Sequence, residues 1–427
     1  MLFIMGVVTF GTNWFCKSMK RNILLRVFFS GLMLHFTCSG YGQGSSKIIL
    51  GPIVGELEKK QMPLNLGSTS KSLVPLIAKA ISIHGGLRLT TPTESRYICS
   101  FSEVAERQVS VTVTAGTSSR EIKILKADGP TMEDAALLAC DKMVSFLLQI
   151  PGFFSGKICY LSDLSGKKEI FTANALMSSA RPQTSYGKIT FNPSWDNTGS
   201  GIFFTSNRKT FNNVYYLNLS DRKVSTIANY RGSNLRAVQN PKSSQVALIL
   251  SSAASGNPEV WLSSTARSKP KRLTRNKSNE SGPSWSPDGR RLMVTSDSRG
   301  KPQIYEVSLS SGVLSRIATN VSSHCTEAAW NPVDPSRFAF TAAIAGGFQI
   351  CEYDFRSRKS KILTKGVRDG MQPSWANDGR HLYFTERSSS GLTRIMILDT
   401  EFEEAKPIAL HNSNFGNCSQ VSFHYPF

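Results

Sequence analysis

PSWSPDGRRLMVTSD, residues Pro283–Asp297, has three companions in the same chain: PSWDNTGSGIFFTSN (Pro193–Asn207), AAWNPVDPSRFAFTA (Ala328–Ala342) and PSWANDGRHLYFTE (Pro373–Glu386). Trp285, Trp330 and Trp375 are spaced by 45, and the gap of 90 back to Trp195 holds two such steps. The missing member falls near residue 240, where AVQNPKSSQVALILS (Ala237–Ser251) keeps the Asn-Pro and the apolar run but lacks the Trp and the turn glycine. A fixed period of this length is the mark of a repeat architecture.

Each repeat goes on in the same order. A second alternating run follows, as in PEVWLSS (Pro258–Ser264), PQIYEVSL (Pro302–Leu309) and FQICEYDF (Phe348–Phe355), and then a short last strand such as KSKILTKG. Four short strands per repeat, bounded by Gly, Asn, Asp, Ser or Pro, describe an antiparallel meander. The Asp-Gly pairs Asp288-Gly289 and Asp378-Gly379 mark tight hairpins, since glycine accepts the positive φ such turns need. A four-stranded unit cannot bury both faces alone, and stacking it radially on its neighbours gives a β-propeller. Five full repeats run from about Lys188 to Asn412; Gly156–Ser185 is a repeat without its first strand, and Cys418–Phe427 is a lone strand with Phe423 at the Trp position. Together the two remnants predict a sixth blade closed by both ends of the domain, which leaves no exposed sheet edge. The fold class expected is an all-β six-bladed propeller over 153–427, with the repeated tryptophans as core between blades.

Upstream the patterning changes. Residues 43–152 read as a small α+β domain: helical spacing in Ser70–Gly86, alternating strands at Gln108–Gly116 and Glu121–Ala127, and a helix capped by Thr131 that runs through Leu148 to the stop at Pro151-Gly152. Residues 1–42 carry basic residues, an apolar run and then small residues in CSGYGQGSS, the order of a secretory signal peptide, with Met19 a candidate true start. Val27–Phe36 is too short for a membrane span. Export puts Cys99, Cys140, Cys159, Cys325, Cys351 and Cys418 in an oxidising compartment; their wide spacing holds no Cys-x-x-Cys metal pair and leaves both disulfides and buried thiols open.

The chain has 50 Lys plus Arg against 30 Asp plus Glu, a net charge of +20. Such a balance suits an anionic partner, and part of the excess falls in Arg267–Lys277 and Arg356–Lys361, where it guards outer strand edges. The export signal and the lack of an aromatic-plus-basic motif speak against nucleic acid. Catalytic motifs are missing as well. GFFSG (Gly152–Gly156) has its serine one place late for a nucleophile elbow, and no His-Glu-x-x-His, P-loop or EF-hand spacing occurs. The residues after the fifth full repeat read as a closing strand, not as the start of a hydrolase domain. The expectation is therefore a binding protein with no catalytic residues, no cofactor and no metal.

The Trp-Ser-Pro-Asp-Gly unit at Trp285–Gly289 resembles the propeller repeat of the TolB family, and prolyl oligopeptidases and related peptidases carry it too. A signal, an α+β domain of about 100 residues and a terminal six-bladed propeller resemble the TolB arrangement, as does the junction CDKMVSFLLQIPGFFSGKICYLSD (Cys140–Asp163). The resemblance implies a periplasmic scaffold of the Tol–Pal envelope system, supporting outer-membrane integrity and invagination at cell division. It implies a propeller face that docks the lipoprotein Pal and an N-terminal end facing a TolA-type inner-membrane protein, for which Gln43–Leu50 is the place to look. In that family the Pal face is made by loops leading into the innermost strands. Here these are Arg231–Leu235, Ser278–Gly282, Ser323–Thr326 and Arg368–Met371. The residues so implicated are Asn279, Glu280 and Ser281, with Glu280 read as a loop charge, followed by Arg231, Asn234, His324, Thr326, Arg368 and Asp369. An exported propeller of the same repeat with another envelope partner, or a propeller-associated peptidase, is the alternative.

Overall fold

Trp285 opposes Leu292 across a hairpin, Trp195 opposes Ile202, Trp330 opposes Phe338 and Trp375 opposes Leu382, so the repeated motif is one register used again and again. The computed structural model describes residues 61–427 except 117, 119 and 252–255. Within them, residues 157–424 form six four-stranded antiparallel sheets. Blade 1 starts with the strand Thr190–Trp195, blade 2 with Asn234–Gln239, blade 3 with Glu280–Trp285, blade 4 with Cys325–Trp330 and blade 5 with Asp369–Trp375. These five are the innermost strands, and each blade then meanders outward in chain order.

Blade 6 is assembled from both ends as the remnants foretold. The innermost strand Cys418–His424 pairs with Lys157–Ser162, which continues to Glu169–Asn174 and Arg181–Pro182. Phe423 faces Ile158, the register that the tryptophans occupy elsewhere. Blade 2 keeps that register with Gln239 opposite Val246, and the Gln239 amide oxygen accepts from Asn197 N of blade 1 at 3.1 Å. The tryptophans are 6–7% exposed and pack between blades. Trp195, Trp285 and Trp375 donate from Nε1 to Ser422, Val238 and Ala329 carbonyls of the preceding innermost strand. Trp330 donates instead to Pro335 O in its own turn, which is the longer Asn-Pro-Val-Asp-Pro variant.

The turns after these residues latch neighbouring blades. Gly289 has φ +72 and its carbonyl accepts from Asn240 Nδ2 of blade 2 at 2.8 Å; Gly379 has φ +64 and accepts from Asn331 Nδ2 of blade 4 at 2.7 Å. A Cβ on Gly289 would lie 2.3 Å from Asn240 Oδ1, so both the backbone and the space require glycine there.

The N-terminal part is a five-stranded sheet with two helices. β1 (Met62–Leu66) lies between β2 (Leu87–Leu89) and β3 (Tyr97–Ala105), parallel to both, and β4 (Gln108–Ala115) and β5 (Glu121–Asp128) extend the sheet antiparallel. α1 (Val74–Ser82) and α2 (Met132–Leu148) cover it; Thr131 caps α2 by accepting from Asp134 N at 3.1 Å. One hydrophobic cluster joins this sheet and its helices to Phe153, Phe154 and the strands of blades 5 and 6. The six cysteines are buried free thiols. The signal peptide and the Gln43–Leu50 segment lie outside the described residues.

Candidate functional site

A meander places strand ends alternately, so the loops entering the innermost strands share one end of the ring with the hairpins between second and third strands. The Trp-bearing turns lie at the other end. All nine residues singled out from the sequence fall at the loop end of blades 2–5, but they divide into two groups.

Asn279 and Ser281 are exposed, as are Arg231 and Arg368; Thr326 and His324 are half-buried, with His324 edge-on to Phe348 at 5.7 Å. Asn279 is held by Asp297, which accepts from its backbone N at 2.8 Å and its Nδ2 at 2.6 Å. Arg368 donates to Glu386 at 2.8 Å, and Asp369 accepts from Phe348 N at 2.8 Å and from Arg387 at 2.7 Å. Glu280 is a correction. It is 1% exposed and opens the innermost strand of blade 3, where its carboxylate accepts from Thr274 Oγ1 at 2.9 Å, Asn276 Nδ2 at 3.1 Å and Ser296 Oγ at 3.1 Å. Burial pushes its pKa upward, and those three bonds oppose the shift. Asn234 is corrected likewise: it is 1% exposed, opens the innermost strand of blade 2, and donates to Tyr230 O at 2.9 Å. Alignment on the tryptophan gives the signal for both. The position five residues earlier is Thr190, Asn234, Glu280, Cys325, Gly370 and Cys418, and every one of them is buried.

The clamps that shape the loops escaped the sequence reading. At the start of third strands, Glu169, Glu259, Gln303 and Gln349 are buried and hold the loop entering the next innermost strand. Glu169 accepts from Gly187 N at 2.8 Å and Glu259 from Asn276 N at 3.1 Å; Gln303 donates to Ser322 O at 3.3 Å and Gln349 to Arg368 O at 3.2 Å. Their signal is the repeated Glu/Gln before Ile or Val in KEIF, PEVW, PQIY and FQIC. Beside Arg368 a cavity of about 480 Å³ is lined by Arg394, Leu392, His411 and Asn417, and Glu386 in its wall is shared by Arg368 and Arg394.

On the axis, Asn192, Glu327, Gln372 and Gln420 adopt left-handed φ near 54–58° at the strand bulges and bond blade to blade. Gln420 Oε1 accepts from Asn192 N at 2.6 Å, and Glu327 Oε2 accepts from Gln372 N at 3.0 Å.

The other concentration of ionisable groups lies where the N-terminal part meets blade 5. The ring of His84, after α1, lies 4.6 Å from that of His381 and tilted 59° to it, and both are buried with Asp378 and Asp399. Asp378 and Asp399 hold His381 protonated against its burial, its pKa raised to about 9; burial and that neighbouring cation drive His84 down to about 3. Donor atoms of His84, His381 and Asp399 lie within 4.8 Å of one another, a spacing open to a metal. The hydrogen bonds do not suit one. His84 Nδ1 accepts from Gly86 N at 3.1 Å, so its Nε2 carries the proton. With His381 and Arg380 charged, the two carboxylates are balanced without an ion. GFFSG also carries no nucleophile geometry: Ser155 Oγ is bound to the buried Asp141, and Phe153 and Phe154 pack in the junction core.

Residues 145–420 match the family model described as PD40, TolB beta propeller domain. The Tol-Pal system protein TolB of Francisella tularensis subsp. tularensis (strain WY96-3418) is 29% identical over 180 residues, 42% of this chain and 41% of that protein. A protein TolB homolog of Chlorobium luteolum is 25% identical over 174 residues, 40% of this chain and 39% of its own length. The chain thus spans about two fifths of the length of the curated relatives it matches. The crystal structure of TolB from Acinetobacter baumannii superposes with a TM-score of 0.74 at 18% identity, covering 86% of this chain and 97% of that one. At that identity the likeness is one of fold, which here includes the N-terminal part.

Proposed function

Because the chain belongs to the PD40 family of TolB β-propeller domains, we propose that it is a periplasmic scaffold of the Tol–Pal system that docks Pal through the loop end of its propeller. In this reading it acts by binding, without catalysis, cofactor or metal, and supports outer-membrane integrity and invagination during division. Residues 1–42 are its cleavable signal peptide, 43–152 its N-terminal domain, turned toward a TolA-type inner-membrane protein, and 153–427 its propeller.

The observation that carries the reading is the occupancy of the two propeller ends. The N-terminal part packs on the turn end of blades 5 and 6: a Cβ on Gly85 would run into Asp399, Asn377 Nδ2 donates to Gly152 O at 3.0 Å, and Tyr425 donates to Asp141 at 3.1 Å. The loop end, with its clamped loops and its cavity, is left for a partner. Arg231, Asn279, Ser281, His324, Thr326, Arg368 and Asp369 are the contact residues proposed, with Glu280 and Asn234 as the pins beneath them.

Calorimetric titration with the soluble domain of the organism's own Pal tests this, beside a variant carrying Arg231→Glu and Arg368→Glu. Binding by the parent, weakened at least tenfold in the variant, is expected. A folded parent that does not bind overturns the Tol–Pal assignment.

A further inference from the structure

The loop end carries most of the propeller's unbalanced charge. Lys168 of blade 6, Lys209 of blade 1, Arg231 of blade 2, Lys277 and Arg299 of blade 3 and Lys365 of blade 5 stand exposed on its loops and hairpins. The acids of the same end are already engaged. Asp297 is taken by Asn279, Asp163 accepts from Asn417 N and Nδ2 at 2.7 and 2.8 Å, Glu386 serves Arg368 and Arg394, and Asp369 serves Arg387. Among the described residues the ion pairs of this end are those three and the Arg272–Glu259 pair, so none of the six exposed cations is neutralised by a neighbour. At the turn end the signs alternate, with Asp196, Asp288, Asp334 and Glu401 set among the basic residues and paired in part, as Arg337 is with Asp334 and Glu401. The outer-strand reading of the basic excess is therefore incomplete: Lys277 lies past its strand, on the loop end.

Apolar side chains stand between these cations. Val367 is 100% exposed, Phe211 75%, Leu392 61% and Ile189 57%, all on loop-end segments. Cations around isolated apolar anchors are the composition of a protein interface, in which charge steers the encounter and burial of the anchors holds it. The cavity beside Arg368 and Leu392 adds a recess for a protruding element, which a flat bilayer does not supply.

We propose that the loop end of the propeller is a cationic docking surface for an acidic protein, whose carboxylates meet Lys209, Arg231, Lys277 and Lys365. This deepens the docking reading and rests on it only for the identity of the partner.

The test uses the purified chain and two fourfold variants, with circular dichroism to show that each is folded. One variant reverses the loop end (Lys209→Glu, Arg231→Glu, Lys277→Glu, Lys365→Glu). The other reverses four exposed cations of the turn end (Lys242→Glu, Arg267→Glu, Lys269→Glu, Lys406→Glu). Each is titrated with poly-L-glutamate, with vesicles containing an anionic phospholipid, and with the soluble Pal domain. Poly-L-glutamate binding should weaken about tenfold or more in the loop-end variant, less than twofold in the other, and vanish at about 0.5 M salt. Equal losses in both variants, or vesicle binding as tight as that of poly-L-glutamate, overturn the inference. Pal association that slows with salt and with the loop-end reversal supports it. Pal binding indifferent to both overturns it while leaving Pal as the partner. Absence of Pal binding with loop-end capture of poly-L-glutamate intact supports the cationic surface and removes Pal.

Discussion

His381 sits at 0% exposure between Asp378 Oδ2, 2.6 Å from its Nδ1, and Asp399 Oδ2, 3.4 Å from its Nε2. Its raised pKa has a signed consequence. The stabilisation it provides is complete below pH 6.5 and is lost as pH climbs toward 9, because in that window only the folded state holds the proton. His84 acts on the other side. It is neutral in both states above pH 6.5, and from there down toward pH 3 only the unfolded chain gains its proton, so stability falls as pH falls. Asp141, pushed up to about 6 by burial, partly offsets this acid limb. Thermal midpoints should accordingly peak near pH 6.5. His381→Gln should flatten the alkaline decline, which is worth up to about 3 kcal/mol for a shift of this size; an unchanged alkaline slope in that variant contradicts the assignment. At the same scale, Trp285→Ala should cost about 3–5 kcal/mol in denaturant unfolding, through lost contacts and the cavity left between blades 2 and 3. Single residues were the least legible part of the sequence. Glu280 looked like a loop charge because a carboxylate is rarely buried, and its three hydrogen-bond partners come from two segments, the loop before it and the end of the next strand. The contact between the junction histidines leaves no mark in the sequence, since nothing local to residue 84 announces residue 381.

Elements were far more legible, for a physical reason. Strand period, turn glycine and Trp register repeat every 45 residues or so, and each copy corrects the reading of the others. The sixth blade followed from counting remnants, because a meander of complete blades leaves an open edge unless both chain ends share one. Deleting Cys418–Phe427 should remove the innermost strand of blade 6, expose Lys157–Ser162 as an edge, and lower the thermal midpoint by about 10 °C or more; an unaltered melt refutes the closure. Gly289→Ala, with its positive φ and its approach to Asn240, should lower stability by about 1–3 kcal/mol. The α+β elements were read from amphipathic spacing and a cap, and Thr131 caps α2 as expected. The parallel placement of β1 between β2 and β3 was not legible, because pairing order within a sheet leaves no mark on the alternation of any one strand.

For the whole molecule, the ring has two unlike ends. The turn end carries latches between blades and the packed N-terminal part, and the loop end carries clamped loops, free cations and exposed apolar side chains. Composition gave the sign of the charge but not its placement, because neighbours in sequence alternate between the ends while neighbours in space come from different repeats. The most direct measurement is hydrogen–deuterium exchange of the chain alone and with the soluble Pal domain at saturating concentration. New protection is expected in segments 229–233, 275–279, 320–324 and 365–368, with the turns at 196–200 and 286–291 unchanged. Protection confined to those turns or to the N-terminal sheet would contradict it.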